Sequence, residues 1–177
     1  IECIPNVSEG RRPEVVGAMA EAVRAVPGVR LLDLQSDGSN NRSVFTMAGE
    51  HGPVVEALER LLAAAIHEID MDDHTGEHPR IGAVDVIPFV PLGDTTLDDC
   101  TALARDFGAR VADRFELPVF LYAAAARRDD RVKLSDVRRG QYEGLKAEIT
   151  RRGRQPDFGP ARTHPRFGAV AVGAQPL

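Results

Sequence analysis

The segment Asp73-His74-Thr75-Gly76-Glu77-His78-Pro79-Arg80 gathers two imidazoles, two carboxylates and a guanidinium within eight residues. A histidine with an ordinary pKa near ~6.5 can take and return a proton at neutral pH once its neighbours fix the tautomer. His78 is therefore a candidate general acid/base, with Glu77 or Asp85 placed to orient it. His74 to His78 also spells H-x-x-E-H, an order in which one class of zinc peptidase presents two histidines from a single helical face. Gly76 weakens a helix at its middle and Pro79 biases His78 away from helical geometry, so the two rings are not expected to converge and no metal is expected. His74 then reads as a bystander. Arg80 offers a planar fork that can clamp an anion, or a structural ion pair with Glu77 or Asp85.

Three other stretches carry chemistry. Asn40-Asn41-Arg42 sets amides and one fixed cation at the entrance to a strand; turn chemistry accounts for the asparagines but not for the arginine that follows. Gly159-Pro160-Ala161-Arg162-Thr163-His164-Pro165-Arg166-Phe167-Gly168 suits close backbone approach to a flat ligand whose carboxylates meet arginines, or a loop that covers a sheet edge. Asn6-Val7-Ser8-Glu9-Gly10 reads as a helix entry without distinctive catalytic spacing. Arginines cluster at 127, 128 and 131, at 138 and 139, and at 151, 152 and 154, a pattern consistent with a solvated charged surface.

The elements that must position these groups follow from periodicity and punctuation. Ile1 to Pro5 predicts a short strand, and Pro13 opens a helix with Val15, Val16, Met19, Val23 and Val26 at helical spacing, stopped by Pro27-Gly28. Val29 to Leu34 and Ser43 to Ala48 predict a hairpin with a long polar loop from Gln35 to Arg42. Pro53 opens a second helix bearing Val54, Leu58, Leu61, Leu62, Ala65 and Ile69, and Val84 to Val90 is the next strand. The order β-α-β-β-α-β is that of a ferredoxin-like unit, an α+β fold in which helices cover one face of a sheet in two layers. A C-terminal extension continues it. Thr96 with Asp99 predicts a capping box ahead of a helix to about Phe115, then come a strand over Val119 to Ala124, short helices over Ser135 to Arg139 and Leu145 to Arg152, and a last strand over Ala169 to Val172.

Composition narrows the class. With 177 residues and 43% hydrophobic content the chain suits one domain with a closed core. No apolar run approaches the ~20 residues of a bilayer span, and no basic-then-apolar leader opens the sequence, so the cytoplasm is the expected compartment. A net charge of −5 argues against nucleic-acid binding. Cys3 and Cys100 lack a second ligand at metal spacing and read as buried thiols.

Taken together, Glu2-Cys3-Ile4-Pro5-Asn6-Val7-Ser8-Glu9-Gly10, Asn41-Arg42-Ser43-Val44, Gly76-Glu77-His78-Pro79-Arg80-Ile81-Gly82-Ala83, Asp85-Val86-Ile87-Pro88-Phe89, Pro118-Val119-Phe120-Leu121-Tyr122 and Pro156-Asp157-Phe158-Gly159-Pro160 resemble the formiminotransferase family. The similarity is to its N-terminal subdomain and runs end to end over 1–177. The resemblance implies transfer of a formimino group between N-formimidoyl-L-glutamate and tetrahydrofolate, during histidine breakdown or purine fermentation. It implies His78 as the catalytic histidine, Gly159 to Gly168 as the folate-binding stretch, and Asn41 and Arg42 near the substrate cleft, with Glu77 and Arg80 beside them. Arginines 42, 80, 162 and 166 would hold glutamate carboxylates, and Phe167 or Phe89 would lie beside the pterin or benzoyl ring. Tetrahydrofolate enters as co-substrate, with no metal. The family's second, sheet-containing subdomain is expected to be absent from these 177 residues and to act as their partner, joined in cis or supplied as a separate chain. A homodimer is compatible with this, and no membrane partner is expected. A folate-binding or assembly subunit without turnover of its own is the alternative.

Overall fold

The computed structural model describes all residues 1–177. Seven strands form one mixed sheet. β1 (Glu2–Cys3) and β2 (Asn6–Val7) are two halves of one strand position, each paired antiparallel to both β4 (Arg42–Gly49) and β5 (Val84–Val90). β3 (Val29–Asp37) pairs antiparallel with β4 and is an edge. On the other side of β5, β7 (Val170–Ala174) and β6 (Val119–Ala123) join in parallel. The spatial order is thus β3, β4, β1/β2, β5, β7, β6, in which the first four positions are the ferredoxin-like unit and the last two its extension.

α1 (Pro13–Arg24), α2 (His51–Glu68) and α3 (Leu97–Phe115) lie on one face of the sheet and close the main core. Met19, Val23, Leu58, Leu61 and Phe107 meet Phe45, Met47, Ile87 and Phe89 there. Removing such side chains from water is worth about 1.5–3 kcal/mol each, which makes this face the main source of stability. The Thr96–Asp99 capping box is present, with Thr96 Oγ1 accepting from Asp99 N at 3.1 Å and Asp99 Oδ2 from Thr96 N at 2.9 Å. Cys3 and Cys100 are fully buried.

The extension adds a smaller layer to the opposite face. Val137 of α4 (Leu134–Val137), Leu145 of α5 (Gln141–Glu148) and Ile149 pack on Val86, Phe120, Tyr122 and Ala171. That cover reaches only the β5–β7–β6 half, so β5 is buried along its whole length while β4 alternates between buried and half-exposed residues. Arg42, Val44 and Thr46 of β4, with Ile4 and Asn6, face outward on the uncovered half.

Several boundaries differ from the sequence pattern. β3 runs on to Asp37, which pairs with Arg42, so the hairpin loop is a tight Gly38–Asn41 turn and not a long connection. The polar Gln35-Ser36-Asp37 run is an edge strand whose outer side meets water. α2 starts at His51, ahead of Pro53. α5 starts at Gln141 and not Leu145, because Gly140 takes a left-handed φ of 80° and Tyr142 N is drawn to Arg80 O at 2.9 Å.

Candidate active site

The uncovered half of the sheet positions His78. The loop that carries it is not helical, and it is anchored at both sides. On one side Glu77 N donates to Ser39 O at 3.2 Å and Asn41 Nδ2 to Thr75 O at 2.9 Å. On the other, Ile81 N donates to Asp85 Oδ1 at 2.7 Å. Asn41 sits in the left-handed region at φ 49°, a conformation its short amide tolerates, and its Oδ1 accepts from Gly10 N at 2.9 Å. Gly10 has no alternative there, since a Cβ would lie 2.4 Å from Asp37 O and 2.7 Å from Arg42 N.

His78 Nε2 is in close hydrogen-bond contact with Arg42 Nη1. A guanidinium only donates, so the ring must accept at Nε2 and is neutral in this arrangement. Arg42 is held in turn by Asn6 Oδ1 at 3.3 Å, and Asn6 Nδ2 donates to Ile4 O at 3.2 Å. Burial lowers the His78 pKa from its ordinary value, the charges of Arg42 and Arg138 lower it further, and the Pro79 carbonyl opposes them. The result is a neutral imidazole bonded to one cation, with the charge of a second adding to the effect.

Neither carboxylate expected to orient His78 does so. Glu77 is exposed, and Asp85, 2% exposed, is occupied by Ile81 N and by Arg138 Nε at 3.0 Å and Nη2. Arg80 is not a free anion clamp either. It is 6% exposed and donates to His74 Nδ1 at 2.9 Å, His74 O at 3.1 Å and both Glu143 oxygens at 3.0 and 2.8 Å, so its ion-pair partner is Glu143 and neither Glu77 nor Asp85. His74 Nε2 completes this buried network by donating to Asn41 O at 3.1 Å, and burial and Arg80 lower its pKa. The two imidazoles of H-x-x-E-H are thus held by different partners.

The stretch Gly159 to Gly168 divides. Its second half lies beside the His78 loop: Arg166 O accepts from Met71 N at 2.8 Å, Phe167 O from Ala83 N at 2.8 Å, and Gly168 bridges Gly82. Arg166 lines a polar cavity of about 410 Å³ together with Ser8, Glu9, Arg12, Asn41 and His74. Ser8, Asn41 and His74 also line the hollow at His78, about 10 Å³ and so no larger than one water. The first half lies elsewhere, with Gly159, Pro160 and Arg162 lining a hollow against α3 beside Glu116 and Phe158. Ala161 and Thr163 are half-buried, and the His164 ring closes its own turn by accepting from Arg166 N and Phe167 N at 3.2 and 3.1 Å. Pro165 is exposed. Phe167 and Phe89 are both 0% exposed and belong to the main core, so neither is available to stack on a ligand ring.

Sequence reading passed over three groups. The Asn6–Gly10 loop is more than a helix entry: Ser8 Oγ donates to Gly82 O at 2.7 Å, Ser43 Oγ donates to Glu9 O at 2.5 Å, and Glu9 Oε2 accepts from Arg11 N and Arg12 N at 2.9 and 3.0 Å. Burial raises the Glu9 pKa, but those N–H groups and the Arg12 guanidinium outweigh it and hold the carboxyl below its ordinary value. Arg138, in a surface-like arginine run, and Asn6, in the stretch read as a helix entry, gave no local signal that they hold Asp85 and Arg42.

Comparison with known proteins adds identity at the level of sequence. Residues 1–175 match the model of the formiminotransferase domain, N-terminal subdomain. The chain is 46% identical to a glutamate formimidoyltransferase of Thermoplasma acidophilum and 42% to one of Streptococcus pyogenes serotype M1, each match covering 99% of this chain and 58% of the relative. It is 44% identical to a formimidoyltransferase-cyclodeaminase of Sus scrofa, over 99% of this chain and 32% of that protein. The chain therefore spans between a third and three fifths of the length of these relatives.

Proposed function

Because the chain belongs to the formiminotransferase family, as its N-terminal subdomain, we propose that it supplies the catalytic histidine for moving a formimino group between N-formimidoyl-L-glutamate and tetrahydrofolate. The observation that carries this reading is the contact of His78 Nε2 with Arg42 on the uncovered half of the sheet. Two of the relatives carry the name glutamate formimidoyltransferase. Tetrahydrofolate is a co-substrate that brings the attacking amine.

Attack of that amine on the formimino carbon forms one C–N bond and gives a tetrahedral carbon bearing nitrogens of similar leaving ability. The entering nitrogen must lose a proton and the departing glutamate nitrogen must gain one before its C–N bond breaks. A single neutral histidine does both in turn, which is general base then general acid catalysis. His78 supplies the lone pair at Nε2, and its lowered pKa keeps that lone pair available at neutral pH. Arg42 occupies the lone pair in the free site. A substrate carboxylate that draws the Arg42 fork to itself would free Nε2 at the moment the substrate is bound.

The ligand's flat ring needs a platform other than the two buried phenylalanines, and Ile4 and Val44 beside Arg42 offer an apolar one. We place the folate-binding role of Gly159 to Gly168 in its second half, through Arg166 and the cavity it shares with Asn41 and His74. The relatives' second subdomain would cover the uncovered half of the sheet, exclude water from His78 and complete the folate cleft. The test is His78→Ala in a form of the protein shown to turn over. Transfer should fall by about 10²–10⁴-fold with folate binding retained. Near-wild-type turnover would remove His78 from the mechanism.

A further inference from the structure

The three arginine-rich runs, which the His78 chemistry leaves largely unused, meet in space. Arg131, Arg139 and Arg154 line one hollow of about 210 Å³ with Gly153, Asp130 and Asp136, and no apolar side chain takes part. The hollow shares no residue with the cavities around His78. Segment 127–154 holds ten Lys and Arg against five Asp and Glu in a chain of net charge −5, so the excess of cations is local to this lobe.

Arg154 is the unusual member. It is 9% exposed, yet its Nε has no hydrogen-bond partner, because Glu148 Oε2 is 3.9 Å away, beyond bonding range. Buried donors are almost always satisfied, so an orphan of this kind calls for a missing acceptor. Its Nη2 donates to Arg139 O at 3.1 Å, which draws the two arginine residues together. Burial, then the charges of Arg139 and Arg131, lower its pKa, and Glu148 only partly offsets them.

The neighbouring carboxylates do not neutralise this pair. Asp157 is spent on Arg131 at 3.2 Å, and Asp130 is held by Arg128 at 2.9 and 2.7 Å. Asp136 and Asp130 stand at the rim as opposing charges, and Glu148 reaches Arg154 only at 3.9 Å. We propose that this hollow binds a multiply charged oxyanion, phosphate or carboxylate in kind, between Arg139 and Arg154 with Arg131 behind them. Planar guanidinium forks match both kinds of oxygen pair.

Calorimetric titration of the 177-residue chain with pyrophosphate and, separately, with citrate tests this, at constant ionic strength and with acetate as the monovalent control. One saturable site is expected, with acetate weaker by about tenfold or more. Tighter binding of pyrophosphate assigns phosphate ligands, and tighter binding of citrate assigns carboxylates. Arg139→Gln, at an exposed position that leaves the fold intact, should weaken binding about tenfold, and Asp136→Asn should tighten it by a few-fold. Absence of saturable binding below about 10 mM, equal binding of acetate, or indifference to Arg139→Gln would overturn the site.

Discussion

Truncation of Asp85 to alanine should destabilise the chain severely. Its carboxylate, 2% exposed, accepts from Ile81 N at 2.7 Å and from Arg138 Nε at 3.0 Å and Nη2, and it thereby ties the end of the His78 loop to β5 and to the layer that carries Arg138. Removing one partner of a buried pair costs about 3–5 kcal/mol, and stranding the Ile81 N–H adds about 1–3 kcal/mol. Arg138 retains 16% of its side-chain exposure and can turn towards water on the uncovered half, which returns part of the first cost. The expected loss is therefore about 3–4 kcal/mol, or roughly 10 °C in Tm for a chain of this size. Asp85→Asn keeps an acceptor for Ile81 N but loses the charge, and should cost about half as much. Urea denaturation followed by circular dichroism measures both, provided m stays constant. A loss below about 1 kcal/mol for the alanine variant would mean that Arg138 and Ile81 find other partners, and that this pair does not hold the loop.

Two further perturbations separate backbone from charge. Gly82→Ala should cost at least about 3 kcal/mol, since its Cβ would sit 1.8 Å from Ala169 O, whereas Gly17→Ala, in open space on α1, should stabilise by about 0.5–1 kcal/mol; equal denaturation midpoints for the two variants would refute the close approach at Gly82. For pH, burial lowers the pKa of His74, His78 and His164, so the unfolded chain binds more protons below ~6.5 and stability is complete above that value and lost as pH falls beneath it. Denaturation midpoints should drop between about pH 7.5 and 5.5, and His74→Asn, though weaker overall, should show a smaller drop; an equal drop would show that His74 is not held neutral by the fold.

Local chemistry was the part of the fold most readable in the sequence. The Thr96–Asp99 box, the helical stripe of α1 and the apolar run Val84–Val90 each depend on neighbours a few residues away, and each stands where the pattern predicts. The edge strand was harder, because Gln35, Ser36 and Asp37 are polar for the same reason that a loop is polar: they face water. α5 was displaced because Arg80, far back in the chain, fixes its first turn. The site divides along the same line. His78 declares itself by residue type, but its partner Arg42 lies 36 residues away, and Arg138 reaches Asp85 across 53. Glu143 likewise takes Arg80 across 63 residues, and no spacing rule could tell that guanidinium from a free one.

The position of His78 follows from how the two faces of the sheet are covered. Helices α1 to α3 close one face, and on the other the α4–α5 layer ends at β5. A strand at that step is buried on both sides along its length, which is why Val84–Val90 reads as an unbroken apolar run, while β4 beyond the step keeps the alternation of a half-exposed strand. The loop into β5 therefore emerges where low-dielectric packing meets open surface. A histidine there is desolvated enough for burial to depress its pKa and exposed enough to meet a substrate. The charges of Arg42, from the uncovered strand, and of Arg138, from the end of the covering layer, lower its pKa further, so the neutral form of His78 is a consequence of where the third layer stops.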